Sequence, residues 1–594
     1  MRVRQLTAAA AAAALLLATG ALAGCSGAPV PARTPAPVPS SAPPAAVTGD
    51  VRPYDRDGLR DGGTLRWALD AVPATLNLFQ PAATADSALL AHALYPALFR
   101  PDPHDRPVAD PDYLVSAEST PPGQQPQVVT YRLNPHAVWS DGTPLSVADF
   151  AAQRAALSGL DPAYAGTRPA GYDAIDSITQ GADRSEIKVV FRRPYAGWRG
   201  LFAPLYPAAG TSGPAAFNRP LAGGDGPTAG PFTVAGYDAA GGRVTLVRNP
   251  LWWGDSPKAD RIDFLATPAE RRLDALDQDR LDIAPLTAAV DRAQAAPGSS
   301  ADLAQASAQA LRRAEALPGI TVHRASAASL TQLTLNATRA PLTDPAVRQA
   351  LARAVDRQRT ADAALTPLGL PAAPLGSHLL AGDQDGYQDN SGAISAADPG
   401  RLLDRAGWKR PTGGGTRTRG GKELALTLVI PADSALARRT ADALTAGLAT
   451  AGIAVHPLAV PAEALLRDHL TTGDYDLALF SWPAGPDPAA DQRSVYAKPR
   501  PGPDGALETG TNYGRTGTEE IDRLFDRAGA ELDPAAHLAL LQEADTRIWQ
   551  LGHSVPLFQR PDLVAVRDDV AAAGAWGFTW PRFQDVGLLD RRPE

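Results

Sequence analysis

Cys25 is the one thiol in a chain of 594 residues, and a thiolate is the strongest nucleophile any side chain offers. It stands directly behind Leu22-Ala23-Gly24, a run of small residues suited to cleavage. Other reactive side chains do not converge. His104, His136, His323, His378, His456, His469, His537 and His553 are dispersed and lack metal-ligand spacing, so surface or hydrogen-bonded roles are expected of them. No serine sits in a nucleophile-elbow motif. Asp383-Gln384-Asp385-Gly386-Tyr387-Gln388-Asp389 has the carboxylate density of a calcium loop, but its glycine is at the wrong offset, which predicts a solvated loop. No Gly-x-Gly-x-x-Gly or Walker loop is present to cradle phosphate. These residues predict no catalytic set, no metal and no cofactor. Trp482 is the best candidate for binding chemistry: a flat apolar ring with a single N–H donor, placed where a nearly apolar strand (residues 475–480) ends.

The segments that position these residues begin with residues 1–24. Arg2 and Arg4 precede an apolar run over residues 6–18. That run is shorter than the roughly 20 apolar residues a permanent span requires. It resembles a bacterial lipoprotein signal, which implies cleavage before Cys25 and lipid on its sulfur, and hence a lipid-anchored protein on the extracytoplasmic face of the cell membrane. Residues 25–60 read as the anchor and a Pro/Ala-rich linker, extended and poor in burial. With its cysteine so used, the mature chain has no disulfide and must rely on core burial, for which its length is ample. Formal net charge is −8 with both signs interspersed. No basic stripe appears, so nucleic acid is not an expected partner.

Strand, turn and helix signals then alternate. Residues 65–69 read as a strand, 85–98 as a helix and 128–133 as a strand. Trp139-Ser140-Asp141-Gly142-Thr143-Pro144 forms a turn before a helix capped by Ser146, with Asp149 in the capping-box position. Asp344-Pro345 opens another helix, whose Val347, Leu351, Ala354 and Val355 predict a buried stripe with Arg348, Arg353 and Arg357 toward solvent. Residues 424–430, 435–449 and 453–455 read as a strand, a helix and a strand in one βαβ unit. Trp252-Trp253 follows the strand over residues 243–248 and reads mainly as packing.

Four ordered segments resemble the extracytoplasmic solute-binding family of ABC importers that contains the oligopeptide and dipeptide binders, the large family 5 type. They are residues 138–150, Gly230-Pro231-Phe232 with Asn249-Pro250 and Trp253, residues 336–350, and residues 474–482 with Pro486-Asp487-Pro488. Trp549 and Val555-Pro556-Leu557-Phe558 extend the likeness, which covers about residues 62 to 594. The resemblance implies an α/β fold, a two-lobed periplasmic-binding-protein clamshell with an extra small subdomain in lobe 1. Lobe 1 would comprise residues 61–95, the small subdomain 96–204, residues 205–326 and a return over 541–594, with lobe 2 at 327–540. A peptide or peptide-like solute would lie between the lobes, and the closed monomer would engage ABC permease subunits.

Family peptide binders place an acid just after the tryptophan that follows the fourth segment's strand. Here the stretch is Trp482-Pro483-Ala484-Gly485-Pro486-Asp487-Pro488, with Gly485 where the acid is expected or that position shortened away. An uncharged site cannot pair a desolvated ammonium, so this departure argues against ordinary free-amino peptides unless Asp487 serves. The resemblance points to Trp482, Asp487, Asn512, Tyr513, Asn77, Phe79 and Tyr95 as ligand-binding residues. It leaves three other readings: an accessory protein binding envelope glycolipid or a mannosylated precursor, a carbohydrate-binding importer component, and a secreted hydrolase, for which the sequence offers no catalytic cluster.

Overall fold

A computed structural model describes residues 46–590 except 168, 220, 222–225, 294–299, 395, 503–504 and 506. Cys25, the apolar leader and most of the proline-rich spacer lie outside the described residues.

The organising element is a ten-stranded mixed sheet. Its order is Ala454–Val460, Ala425–Pro431, Leu477–Pro483, Ile320–Leu335, Ser554–Arg567, Ile283–Pro285, Thr64–Leu69, Arg261–Ala266, Arg243–Arg248, Phe232–Asp238. The two long central strands, Ile320–Leu335 and Ser554–Arg567, pair antiparallel along their length and run through both lobes. Their register shifts between Ser326 and Leu330, where Ser326 faces Pro561 and Leu330 faces Gln559. Pro561 has no N–H for the ladder, and the unmatched residues leave a bulge that interrupts pairing and bends the strands. Beyond it, on one side, Ala425–Pro431 pairs parallel to Ala454–Val460 through the helix Ala435–Thr450, the βαβ unit read from the sequence. On the other side Thr64–Leu69 runs parallel to Arg261–Ala266.

Alternating side chains divide the burial between two faces. Leu65, Trp67 and Leu69 join Phe264 and the aromatic core of the small subdomain, which includes Tyr131, Phe150 and Phe202. Ala68 points the other way, into a core that continues past the bulge through Leu333, Leu351, Leu428 and Trp549. The small subdomain has its own four-stranded antiparallel sheet, ordered Leu114–Ser119, Val128–Leu133, Glu186–Phe191, Ile175–Gln180.

Three expectations change. The ordered fold starts before residue 61: Asp50–Val51 pairs with Gly574–Ala575, and Asp50 accepts from the Arg324 backbone N–H at 2.8 Å. The later part of the segment 25–60 is therefore a packed strand rather than linker. The return to lobe 1 falls later than residue 541. The helix Pro534–Leu551 packs Leu541, Ala544 and Ile548 against Leu379, Tyr496 and Phe525, and the chain crosses back at the bulge. Arg348, expected in solvent, is 3% exposed and donates to the carbonyls of Leu342 and Leu551. Its guanidinium fork satisfies chain-end carbonyls that an apolar residue would strand.

The turn after Trp139 explains its own composition. Asp149 accepts from the Ser146 N–H at 2.9 Å, the Trp139 indole N–H at 3.3 Å and the Ala208 N–H at 2.7 Å. One buried carboxylate thus caps the helix Val147–Leu157 and ties it to two neighbouring segments. Asp149→Ala leaves three donors unpaired and is expected to lower stability by about 2–4 kcal/mol. Urea unfolding checks this, and a loss under about 0.5 kcal/mol would contradict it.

Candidate functional site

Trp482 ends the strand Leu477–Pro483 opposite Leu330, beside the bulge in the long strands. Its backbone is held there twice: the Ser329 hydroxyl donates to the Trp482 carbonyl at 3.1 Å, and the Ala484 N–H donates to the Ala328 carbonyl at 3.0 Å. The ring is half-buried. It stacks on Tyr513 with centroids 5.7 Å apart and planes at 13°, and meets Phe480 edge-on at 5.4 Å. Its indole N–H is buried and has no partner among the described residues. Trp482 and Tyr513 therefore form one aromatic platform with a free donor.

Asp487 is committed elsewhere. Its carboxylate caps the short helix Pro488–Asp491 and accepts the Tyr195 hydroxyl at 2.9 Å, across from the small subdomain. A Cβ at Gly197 would lie 1.8 Å from Asp487 Oδ2, so glycine is required for this close approach. The Ala196 N–H donates to the Gly529 carbonyl at 2.8 Å beside it. Tyr195 and Asp487 thus make a bridge between lobes, with an open groove on each side. One, about 710 Å³, is lined by residues such as Gly171, Arg193, Tyr195, Ala490 and Phe525. The other, about 530 Å³, is lined by residues such as Ser119, Trp198, Pro486, Asp487 and His537.

Of the sequence-selected residues only Asp487 lines one of these openings; Trp482 and Tyr513 line neither, and the others are spent inside the lobes. Asn512 is fully buried. It donates to the carbonyls of Ala497 and Thr516 at 2.6 and 2.8 Å, and its oxygen is 2.9 Å from His553 Nε2. Asn77 accepts from the Phe79 N–H at 3.0 Å in a local turn. Phe79 and Tyr95 pack against Tyr206 in the lobe 1 core, at 5.8 and 4.7 Å between centroids. These are the struts of the cleft wall, with their polar atoms used inside the protein.

Sequence reasoning missed a second interlobe contact. Gln384 donates through Nε2 to Asp105 Oδ2 at 2.7 Å and to the Gly485 carbonyl at 3.2 Å. His104 Nδ1 lies 2.9 Å from the Asp383 carbonyl, and Arg106 pairs with Asp385 at 3.5 Å. The tract over residues 383–389 is thus an interlobe contact surface, and Asp105 faces it from lobe 1. The only advance signal was carboxylate density in two loops. Among the described residues no three His, Cys, Asp or Glu side chains assemble as metal ligands. The histidines that are buried are paired internally, as His378 is with Asp545 at 2.7 Å.

Burial pushes the Asp105 carboxyl up to about 7, with Asp491, Asp383 and Asp102 adding to the rise against the Gln384 hydrogen bond. Asp491 is also pushed to about 7, by burial and then by Asp487. Burial raises Asp383 and Asp487 as well. Carboxylates from both lobes therefore face one another at the boundary, with Asp105 buried, Asp383 and Asp487 half-buried and Asp491 open to solvent.

The profile of the bacterial extracellular solute-binding proteins, family 5 Middle, matches residues 116–503. The chain belongs to that family. It is similar to the oligopeptide-binding protein OppA of Mycobacterium tuberculosis (strain ATCC 25618 / H37Rv), with 34% identity over 552 residues, 92% of this chain and 88% of that protein. It is also similar to the probable monoacyl phosphatidylinositol tetramannoside-binding protein LpqW of the same strain, at 27% over 504 residues, 78% of this chain and 73% of that one. Among solved structures, the periplasmic EDTA-binding protein EppA superimposes with a TM-score of 0.76 at 24% identity, covering 91% of this chain and 98% of that one. The fold is the two-lobed family 5 clamshell.

Because the folded Asp105 value lies above the ordinary 3.8, its environment favours the protonated acid. The associated stability is full below about pH 4 and is lost as pH rises through about 7. Asp105→Asn keeps a short side chain suited to the left-handed backbone at this position (φ 61°). The variant is expected to melt above the parent near about pH 8, with the gap narrowing toward about pH 5. An equal gap at both would show that Asp105 does not carry the charge.

Proposed function

We propose that this family 5 protein captures a peptide or peptide-like solute between its lobes and delivers it to ABC permease subunits, working as a lipid-anchored monomer outside the cell membrane. The observation that carries this reading is the pair of grooves beside the Tyr195–Asp487 bridge between lobes, large enough for an extended solute, with the Trp482–Tyr513 stack at the strand end beside the hinge. The relationship to OppA across 92% of the chain supports the peptide class. Cleft residues would act by enclosing the solute: the aromatic faces bury apolar side chains, and closing the lobes excludes water from the hydrogen bonds they make. The dispersed histidines, paired internally where buried as His378 is with Asp545, support a binding role rather than hydrolysis.

The test is native mass spectrometry of the purified soluble form, followed by thermal-shift screening of peptides, sugars and envelope lipid fractions. A co-purifying or stabilising peptide is expected. A glycolipid or sugar adduct without any peptide response would overturn the peptide class.

Trp482→Ala is expected to weaken peptide affinity by at least about tenfold. It should lower the melting temperature of the free protein less than Trp549→Ala, which removes a fully buried ring that donates to the Gly376 carbonyl at 2.8 Å. Intact affinity with a large stability loss would place Trp482 in the core. Cys25→Ala is expected to move the protein from the membrane fraction to the medium with an unchanged melting curve. Retention in the membrane would contradict the anchor.

A further inference from the structure

Residues 401–424 of lobe 2 carry seven cations against two acids, Asp404 and Glu423, in a chain whose formal net charge is −8. One cation is internal. Arg417 is 5% exposed, pairs with Asp404 at 2.9 Å and donates to the Trp408 and Ala451 carbonyls. The other six, Arg401, Arg405, Lys409, Arg410, Arg419 and Lys422, are exposed, and among the described residues none of them forms an ion pair.

Local structure gathers them on one face. Arg401 and Arg405 lie a turn apart on the helix Pro399–Arg405. Gly420 and Gly421, at φ 56° and 79°, close a two-residue hairpin between Thr418–Arg419 and Lys422–Glu423. Arg419 and Lys422 stand opposite each other across it, and Lys409 bridges to Thr418 beside them. Arg419 donates to the Ala406 carbonyl at 3.1 Å, and its guanidinium lies 4.7 Å from the centre of the Trp408 ring, which draws the hairpin onto the end of that helix. Lys409 donates to the Asp404 carbonyl at 2.9 Å, and Arg410 to the Thr450 carbonyl at 3.0 Å. Carbonyls at two helix C-termini thus hold three of the cations in place without neutralising them.

The face is left with positive charge and donors in excess. Like charges directly opposite on a hairpin cost stability, and neither Arg419 nor Lys422 has an acidic partner among the described residues. Under the same hairpin Trp408 is 4% exposed, and its indole N–H is buried without an acceptor among the described residues. What would complete this surface is an anion.

Place in the fold decides which anion. Ala425–Pro431 runs parallel to Leu477–Pro483, which ends at the hinge, so the segment preceding Ala425 lies at the end of lobe 2 away from it. None of the six cations lines either groove. The described fold begins at residue 46, and the twenty residues 26–45 that separate it from Cys25 can reach at most about 70 Å. A lipid on Cys25 therefore keeps the whole domain close to one membrane surface, where a modest attraction is enough for docking.

We propose that this basic face of lobe 2 docks on the phosphate headgroups of an anionic bilayer. It takes the membrane's nearness from the lipid-anchor reading above and its attraction from the cations themselves. Anchor and face together hold the protein to the membrane at two points instead of one.

The experiment uses the soluble form beginning at Ser26, which contains the whole described fold and carries no lipid. It is co-sedimented with vesicles of phosphatidylcholine alone and of phosphatidylcholine mixed with phosphatidylglycerol. Binding to the anionic vesicles only is expected, falling at least about tenfold between about 0.05 and 0.5 M salt. Arg401→Gln with Arg405→Gln and Lys422→Gln, three side chains with no hydrogen bond inside the protein, should weaken it at least about tenfold while the melting curve stays unchanged. A matched control, Arg184→Gln with Arg271→Gln and Arg280→Gln, removes three exposed, unpaired cations elsewhere and should bind as the parent does. Binding to neither vesicle, equal binding to both, an undiminished patch variant or an equal loss in the control each overturns the docking face. None of these outcomes bears on the anchor, which the fractionation of Cys25→Ala decides separately.

Discussion

The pairing of Ile320–Leu335 with Ser554–Arg567 is the constraint on which the molecule depends. These are the strands that carry the sheet from one lobe to the other, and their register shifts only within residues 326–332, between Ser326 and Leu330 opposite Pro561 and Gln559 and again between Thr331 and Gln332. A continuous antiparallel ladder resists bending because every residue's hydrogen bonds would have to shift together. A bulge removes that resistance at one level and leaves it elsewhere. Residues at the interruption are then free to hold the site. Ala328 and Ser329 anchor residues 482–484, while Gln559 reaches Asp383 and accepts from the Gly382 N–H at 3.1 Å. The point of flexure and the cleft floor are one structure.

Cores and cleft are built by opposite rules. The two faces of the sheet are closed by apolar side chains that exclude water, with polar exceptions such as Arg348 and Asp149 fully paired. At the lobe boundary polar groups are only partly paired. Tyr195 and Asp487, Gln384 and Asp105, and Ala196 and Gly529 satisfy one another across the gap, whereas Trp482 Nε1, Asp383 Oδ2 and Gln492 Oε1 do not. A few specific hydrogen bonds give the closed arrangement its register without the apolar area that would make closure permanent.

The sequence made the fold legible because its signals are local. Alternation, the Ser146–Asp149 box and the Asp344-Pro345 cap each depend on neighbours within a turn or two, and each forms as read. Trp482 was legible for the same reason, since it ends a recognisable strand. Asn512, Asn77, Phe79 and Tyr95 were selected by position in a motif, yet a motif does not report which way a side chain's hydrogen bonds are spent. Asn512 spends all of its own on Ala497, Thr516 and His553. Asp105 and Asp383 were invisible as a pair because they lie 278 positions apart and only lobe packing brings them together.

That arrangement has an energetic consequence for lobe closure. Bringing Asp105 toward Asp383 desolvates like charges, and their raised carboxyl values express that cost. The free protein can meet the cost by taking up protons, or by staying more open at higher pH. A ligand shifts a two-state equilibrium only by its differential affinity for the two states. Like charges divided between Asp105 and Asp383 oppose closure more as they ionise, so a solute that favours the closed form must outweigh that repulsion.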